Sequence, residues 1–112
     1  MHELSLAMNM IQMIEEQRAV HGFEKVEKVH VSIGEFSSVV PEALEFSFSI
    51  ASKGTSAEGA ALIIRRVPLI MKCNSCSSEF QTEPYLFLCP DCGGTDLQML
   101  SGNELQIESI EV

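Results

Sequence analysis

Four cysteines carry the clearest chemistry in this sequence, and they occur as two C-x-x-C pairs. Cys73 and Cys76 form the first pair, and Cys89 and Cys92 form the second pair, twelve residues further along the chain. Each pair can bend into a tight turn whose two sulfurs face one point, and two such turns supply four thiolates in a tetrahedron. The spacing therefore predicts a zinc site. Because protein fills all four coordination positions, such a site is structural rather than catalytic.

A redox dithiol, disulfides and unrelated buried cysteines are the alternatives for these four residues. A thioredoxin-like C-x-x-C begins a helix in a βαβ setting, and the pattern of residues 71–102 does not indicate one. The same segment has one lysine and four acidic residues, so we expect no contact with nucleic acid. It is also too small to fold on its own core, and bound zinc would supply the missing stability.

The first three residues, Met1, His2 and Glu3, form a second group with metal-binding chemistry. The α-amine, the His2 amide nitrogen and the His2 imidazole can chelate one ion in adjoining rings. The Glu3 amide can complete a plane of nitrogens, and the Glu3 carboxylate can add an outer ligand. These donors suit nickel(II) or copper(II) better than zinc or magnesium. Taken alone the tripeptide is a weak indication, because a frayed terminus is the default expectation.

Two helices are predicted from the spacing of apolar residues. Residues 4–20 have apolar side chains at steps of three and four, and His21-Gly22 is typical of a helix end. Residues 41–52 show both strand-like alternation and apolar i,i+4 pairs. Pro41 suits a first helical turn, so a helix is favoured there.

Strands are predicted on both sides of the cysteine segment. Apolar alternation indicates three of them, at residues 26–33, 60–70 and 103–111. We expect Arg65-Arg66 to break the second strand. Because apolar strands precede and follow the cysteines, the ribbon is interpreted as an insertion, with the flanking strands paired in one main sheet.

Composition and charge limit the classes of function. The chain has 112 residues, is 46% hydrophobic and carries a formal charge of -9. This length suits one ordinary domain, or a small domain plus a smaller one that a bound metal ion stabilises. The acidic balance disfavours nucleic acid and anionic membrane surfaces as partners. No transmembrane or secretory segment is recognised, so we expect a cytoplasmic protein with reduced thiols.

Five motifs occur in one order along the chain: M-H-E, S-I-G-E-F, P-E-A-L-x-F-x-F, the two C-x-x-C pairs and G-N-E-L-Q-I. In this combination the sequence closely resembles the HypA/HybF family of hydrogenase maturation nickel metallochaperones. The resemblance covers essentially the whole chain. Of the five motifs, only the cysteine pairs are specific by themselves.

The resemblance implies an α+β fold, with two helices packed on a small three-stranded sheet and an inserted zinc-ribbon domain. Residues 1–70 plus 103–112 would form the nickel-binding domain, and residues 71–102 the zinc ribbon. It also implies a helix at residues 41–52. The nickel(II) ligands implied by position are Met1 and His2, supported by Glu3. The implied zinc(II) ligands are Cys73, Cys76, Cys89 and Cys92.

The partners implied by the resemblance are the GTPase HypB and the precursor of the [NiFe]-hydrogenase large subunit. In some bacteria the family also serves urease maturation, and the sequence does not decide this point. No G-x-x-x-x-G-K-[ST] loop is present, so we expect no nucleotide hydrolysis by this chain. A metal-dependent hydrolase and a zinc-ribbon adaptor that binds no nickel are the two alternative functions.

Overall fold

The computed structural model describes residues 3–112, and Met1 and His2 lie outside this described part. Within it the helices are α1 (Glu3–His21) and α2 (Pro41–Ala51), with a short 3-10 helix at Glu35–Ser37. The strands are β1 (Lys28–Gly34), β2 (Ala61–Val67), β3 (Ile70–Cys73), β4 (Glu79–Gln81), β5 (Leu97–Ser101) and β6 (Leu105–Glu111). None of the described helices combines the length and the apolar character that a membrane span requires.

The chain divides into two compact units. The helical unit contains the described residues up to Val31, together with Ser38–Arg65 and Gln106–Val112. The ribbon unit contains Ser32–Ser37 and Arg66–Leu105. The domain limits expected from the sequence stay a prediction.

The first predicted helix is confirmed as α1. Its buried side chains are Ala7, Met10, Ile11 and Ile14, which recur at helical spacing along one stripe. The helix ends as the sequence indicates, because the N–H of Gly22 donates to the Arg18 carbonyl at 2.8 Å and Gly22 has φ +73°. Glycine adopts this left-handed conformation without the steric cost of a Cβ.

The segment at residues 41–52, whose pattern suited both a strand and a helix, forms the predicted helix α2. Its buried residues are Leu44 and Phe48, one helical turn apart, and α2 packs against α1. The other apolar pair, Phe46 and Ile50, is exposed, with 68% of Phe46 accessible to solvent. The strand-like alternation therefore reflects apolar residues on both sides of a helix.

Three strands form the main sheet in the order β2-β1-β6. In the central strand Val29, Val31 and Ile33 are all buried, as the alternation predicts. The strands before and after the cysteine segment both pair with β1, so the prediction of an insertion between two strands of one sheet is confirmed. The α+β class, with two helices and a three-stranded main sheet, is confirmed as well.

The predicted strand at 60–70 is wrong in one respect. Arg65 and Arg66 do not interrupt it but lie inside β2, and the interruption falls at Pro68-Leu69 before β3 begins. Proline cannot donate to a strand ladder, whereas an arginine tolerates a strand when its guanidinium reaches solvent or an acid. Arg65 does so, since its Nε donates to the Glu108 carboxylate at 2.8 Å.

One acidic side chain connects α1 to the loop that follows α2. Glu15 Oε1 accepts hydrogen bonds from the Ser56 hydroxyl at 2.7 Å and the Ser56 N–H at 2.9 Å. These two bonds, in that order, lower the pKa of Glu15 below its ordinary value. Because the folded-state pKa is lowered, the stabilisation is present above the ordinary pKa of 4.5 and is lost as the pH falls through the folded-state pKa.

We predict that Glu15→Gln lowers the free energy of unfolding at neutral pH by about 1 kcal/mol, a modest value because 33% of the Glu15 side chain is exposed. Urea unfolding followed by helical circular dichroism measures the difference. The difference should shrink as the pH falls below 4.5. Glu16→Gln, next along α1, is the control and should change stability by less than about 0.5 kcal/mol. A loss that stays constant down to acidic pH would contradict the assignment.

Candidate metal centres

A small antiparallel sheet positions the first cysteine pair. Its strand order is β4-β3-β5, and Cys73 is the last residue of the central strand β3. Met71 pairs with Phe80 on one side and with Met99 on the other, so apolar residues cross the sheet next to the cysteines. The sheet thereby fixes where the chain turns at Cys73.

The two C-x-x-C turns share one hydrogen-bonding pattern. In each turn, the residue four positions after the first cysteine donates its N–H to the carbonyl of that cysteine. Ser77 donates to the Cys73 carbonyl at 2.8 Å, and Gly93 donates to the Cys89 carbonyl at 2.9 Å. Each first cysteine also donates its own N–H to a carbonyl five residues later, at 2.8 and 2.9 Å. Ser77 and Gly93 both have positive φ, 64° and 73°. Two copies of one turn therefore face each other.

The four sulfurs lie within 4.8 Å of one another. Cys73 Sγ is 3.5 Å from Cys92 Sγ, and Cys76 Sγ is 3.6 Å from Cys89 Sγ. Four thiolates about 2.3 Å from a tetrahedral zinc ion would be separated by about 3.8 Å, whereas a disulfide requires about 2.05 Å. The separations therefore match a four-thiolate metal site, and all four cysteines are free.

The electrostatics of the cluster favour a bound cation. The Cys76 N–H, and less strongly the Ser75 N–H, donate to the Cys73 sulfur and lower its pKa to about 7 against the effect of desolvation. The Ser78 N–H lowers the pKa of Cys76, but the Cys89 thiol, desolvation and the other cysteines together raise it to about 12. The Cys73 thiolate thus forms readily, whereas the Cys76 thiol resists ionisation. A dication among the sulfurs removes that resistance, because it neutralises their mutual repulsion.

Gly94 allows the backbone to approach the sulfurs closely. A Cβ at this position would lie 3.2 Å from Cys92 Sγ and 3.7 Å from Cys73 Sγ. The neighbouring glycine, Gly93, adopts a left-handed φ of +73°, which costs a residue without a Cβ little. Gly94 serves mainly to leave room beside the sulfurs.

The amino-terminal group is described only in part. Met1 and His2, the two residues implied as nickel ligands, lie outside the described residues. Glu3 is the first residue of α1, and its carboxylate Oε2 accepts a hydrogen bond from the Val40 N–H at 3.3 Å. Within residues 3–112, the cysteines form the group of histidine, cysteine and acidic side chains whose ligand atoms converge as a metal requires.

Two functional features were missed by sequence reasoning. The first is Ser77, whose left-handed backbone could have been found by aligning the two C-x-x-C pairs, since it occupies the place of Gly93. The second is the contact between Glu3 and Val40, which joins residues far apart in sequence and leaves no local signal. His30, in β1, pairs with the Glu111 carboxylate.

An α+β protein with an inserted ribbon of four converging thiols defines a class of small metal-binding proteins. Comparison with known families identifies the class further: residues 1–112 match the family described as hydrogenase/urease nickel incorporation metallochaperone, HypA. The chain therefore belongs to the HypA family of nickel metallochaperones. Members of this family are maturation factors rather than enzymes, so the hydrolase alternative is excluded.

Individual relatives agree with the family match. The hydrogenase maturation factor HypA of Acidithiobacillus ferrooxidans is 43% identical over 112 residues, which covers 100% of this chain and 99% of that protein. The hydrogenase maturation factor HypA of Chloroflexus aurantiacus is 41% identical, and the match covers 99% of this chain and 98% of that protein. The resemblance inferred from five motifs is thereby confirmed over the full chain.

Solved structures share the fold. The solution structure of the Ni metallochaperone HypA from Helicobacter pylori has a TM-score of 0.69 and 26% identity, covering 99% of this chain and 97% of that one. A second solution structure of a HypA protein has a TM-score of 0.73 at 26% identity, and the match covers 99% of this chain and 95% of that one. The α+β fold with its ribbon is therefore shared with these HypA structures.

We predict opposite effects for substitutions at the matching positions of the two turns. Gly93→Ala should lower the free energy of unfolding by about 1 kcal/mol, because alanine at φ +73° is strained. Ser77→Gly should raise it by about 0.5 kcal/mol, because it relieves the same strain at φ +64°. Thermal unfolding of the metal-loaded protein measures both.

Ser75→Gly is the matched control for this pair. Ser75 lies in the first turn but is not among the described residues with positive φ, so glycine there adds flexibility without relieving strain. We expect a small loss of stability. If Ser77→Gly and Ser75→Gly destabilise the protein equally, the left-handed turn does not carry the strain.

Proposed function

We propose that this chain binds nickel(II) reversibly at its first residues and delivers it to the precursor of the [NiFe]-hydrogenase large subunit, while four cysteines hold a structural zinc ion. The observation that carries the proposal is the match of residues 1–112 to a family of nickel-incorporation metallochaperones. The M-H-E start and both cysteine pairs are present in the chain, so each element of the proposal has residues to perform it.

The cysteine cluster is proposed as the zinc site. Its sulfur separations and its thiolate donors suit zinc, and protein ligands would fill the whole tetrahedron. Such a closed site supplies folding stability and leaves no open position for exchange. This is the reason to assign zinc, and not the transported ion, to the sulfurs.

The proposed nickel ligands are the Met1 amine, the amide and imidazole nitrogens of His2 and the Glu3 amide nitrogen. A bare dication is disfavoured near the positive end of α1, which begins at Glu3. If two backbone amides ionise on binding, the complex becomes neutral, so the helix dipole no longer opposes the loaded state.

Release of nickel follows from the small number of ligands. A site built from a few adjoining donors exchanges its ion more readily than a closed cage, so we propose micromolar rather than picomolar affinity. Affinity should fall at lower pH, because the amine, the imidazole and the amides must all lose protons on binding.

The proposed partners are the GTPase HypB and the large-subunit precursor. Urease maturation proteins are a second candidate recipient, because the family description covers nickel incorporation into urease as well as hydrogenase. We propose the cytoplasm as the compartment, since the site requires reduced thiols and all four cysteines are free.

We predict that His2→Ala weakens nickel binding by about a hundredfold or more, because it removes an imidazole ligand and a chelate ring. Titration with nickel, together with metal analysis of the untagged protein, measures the loss. Zinc content and thermal stability should not change. The control is His21→Ala, at the exposed end of α1, which should leave nickel affinity unchanged. Equal nickel binding by wild type and His2→Ala would favour the zinc-ribbon adaptor.

We predict that Cys73→Ser abolishes binding of the zinc equivalent and unfolds the ribbon, since it removes a buried thiolate from the cluster. Metal analysis and the amide spectrum of residues 71–102 measure both effects. Ser75→Ala, in the same turn, should retain zinc. Nickel binding that is lost in Cys73→Ser but kept in His2→Ala would assign the transported ion to the sulfurs and overturn the proposal.

A further inference from the structure

The contact between Glu3 and Val40 joins the beginnings of the two helices of the helical unit. Glu3 Oε2 accepts from the Val40 N–H at 3.3 Å across 37 positions of sequence. Glu3 is the first residue of α1, and Val40 is the residue that caps the start of α2. One carboxylate therefore lies beside the positive ends of two helices, where a negative charge is stabilised.

The start of α2 has no side-chain cap of its own. Its N-cap residue Val40 makes no side-chain cap hydrogen bond, and Pro41 in the next position has no N–H. In a capping box, an acidic or amide side chain three residues into the helix would accept from the N-cap N–H, but that position is Ala43. Glu3 supplies this missing acceptor from the other helix.

Residue 3 is consequently held at two points. Its main chain is part of the first turn of α1, and its side chain is held by the start of α2. The proposed nickel ligands run from the Met1 amine to the Glu3 amide nitrogen. Holding residue 3 in place therefore fixes one end of the segment that carries them. Fixing a ligand-bearing segment before binding reduces the entropy lost on binding.

We propose that the Glu3 carboxylate acts as a positioning group that fixes the nickel-binding segment on α2, and that it is not itself a nickel ligand. This inference rests on the proposed nickel function. The donor that makes it possible is the Val40 N–H, a group that lies 37 residues away from the metal-binding sequence.

Two pairs of variants separate positioning from ligation, with nickel affinity measured by titration and the nickel absorption spectrum recorded for each. Glu3→Gln keeps an acceptor oxygen of the same reach, and Val40→Ala keeps the N–H, so both should bind nickel within about twofold of wild type. Glu3→Ala removes the acceptor, and Val40→Pro removes the donor. Each should weaken nickel binding about three- to tenfold, the loss that one hydrogen bond represents.

The double variant Glu3→Ala/Val40→Pro should bind no more weakly than Glu3→Ala alone, because that variant already removes the interaction with Val40. If Glu3→Gln is as weak as Glu3→Ala while Val40→Pro binds normally, the carboxylate is a ligand and the proposal is wrong. It is also wrong if all four single variants match wild type. Zinc content and helical circular dichroism confirm that each variant is folded.

Hydrogen exchange of the Val40 amide tests the same contact without Val40→Pro and without nickel. The amide should exchange more slowly in wild type and Glu3→Gln than in Glu3→Ala, and equal exchange in all three would overturn the proposal. The proposed function is tested separately by His2→Ala. If nickel binding does not depend on His2, the proposed function fails, while a protected Val40 amide still shows that the helices are joined.

Discussion

The mutual repulsion of four converging thiolates is the constraint on which the ribbon unit depends. Their sulfurs lie within 4.8 Å of one another, and in the absence of a cation the pKa of Cys73 is lowered while that of Cys76 is raised. Apart from Cys73 and Cys89, the buried apolar side chains of the unit that carries them are Ile33, Val67, Leu69 and Met71. With so small a core, an ion bound by the sulfurs would supply much of the stability of this unit. This is the basis for the proposal that the cluster holds a permanent ion and not the transported one.

The helical unit is stabilised differently. Buried apolar side chains of α1 and α2 pack together, and no metal is needed to explain the packing. The proposed nickel site, in contrast, takes its donors from the first residues of the chain and must release its ion. The Glu3 carboxylate connects the two roles, because it lies at the start of both helices and next to the proposed nickel ligands in sequence. A stable core and an exchangeable site can thus adjoin each other.

The helices, strands and cysteine site that follow a regular residue spacing were predictable from the sequence. The places where the backbone departs from such a spacing were not. The spacing of apolar residues located α1 and β1, and the C-x-x-C spacing identified the sulfur cluster. The strand break was misplaced because Arg65-Arg66 was judged by its charge, while the missing N–H of Pro68 decides where the ladder stops. Ser77 was missed because serine does not by itself indicate a left-handed backbone, and only its match to Gly93 in the second turn does so.

The sequence by itself determined the helices, the donor types and the family, since each depends on local spacing or on motifs that occur in one order. Only the tertiary structure decided that α2 presents Phe46 to solvent, that β2 and β6 flank β1, and that Val40 holds the Glu3 carboxylate. The physical reason is that these features depend on contacts between residues distant in the chain. Such contacts are selected by the packing of the whole unit, and no local pattern encodes them.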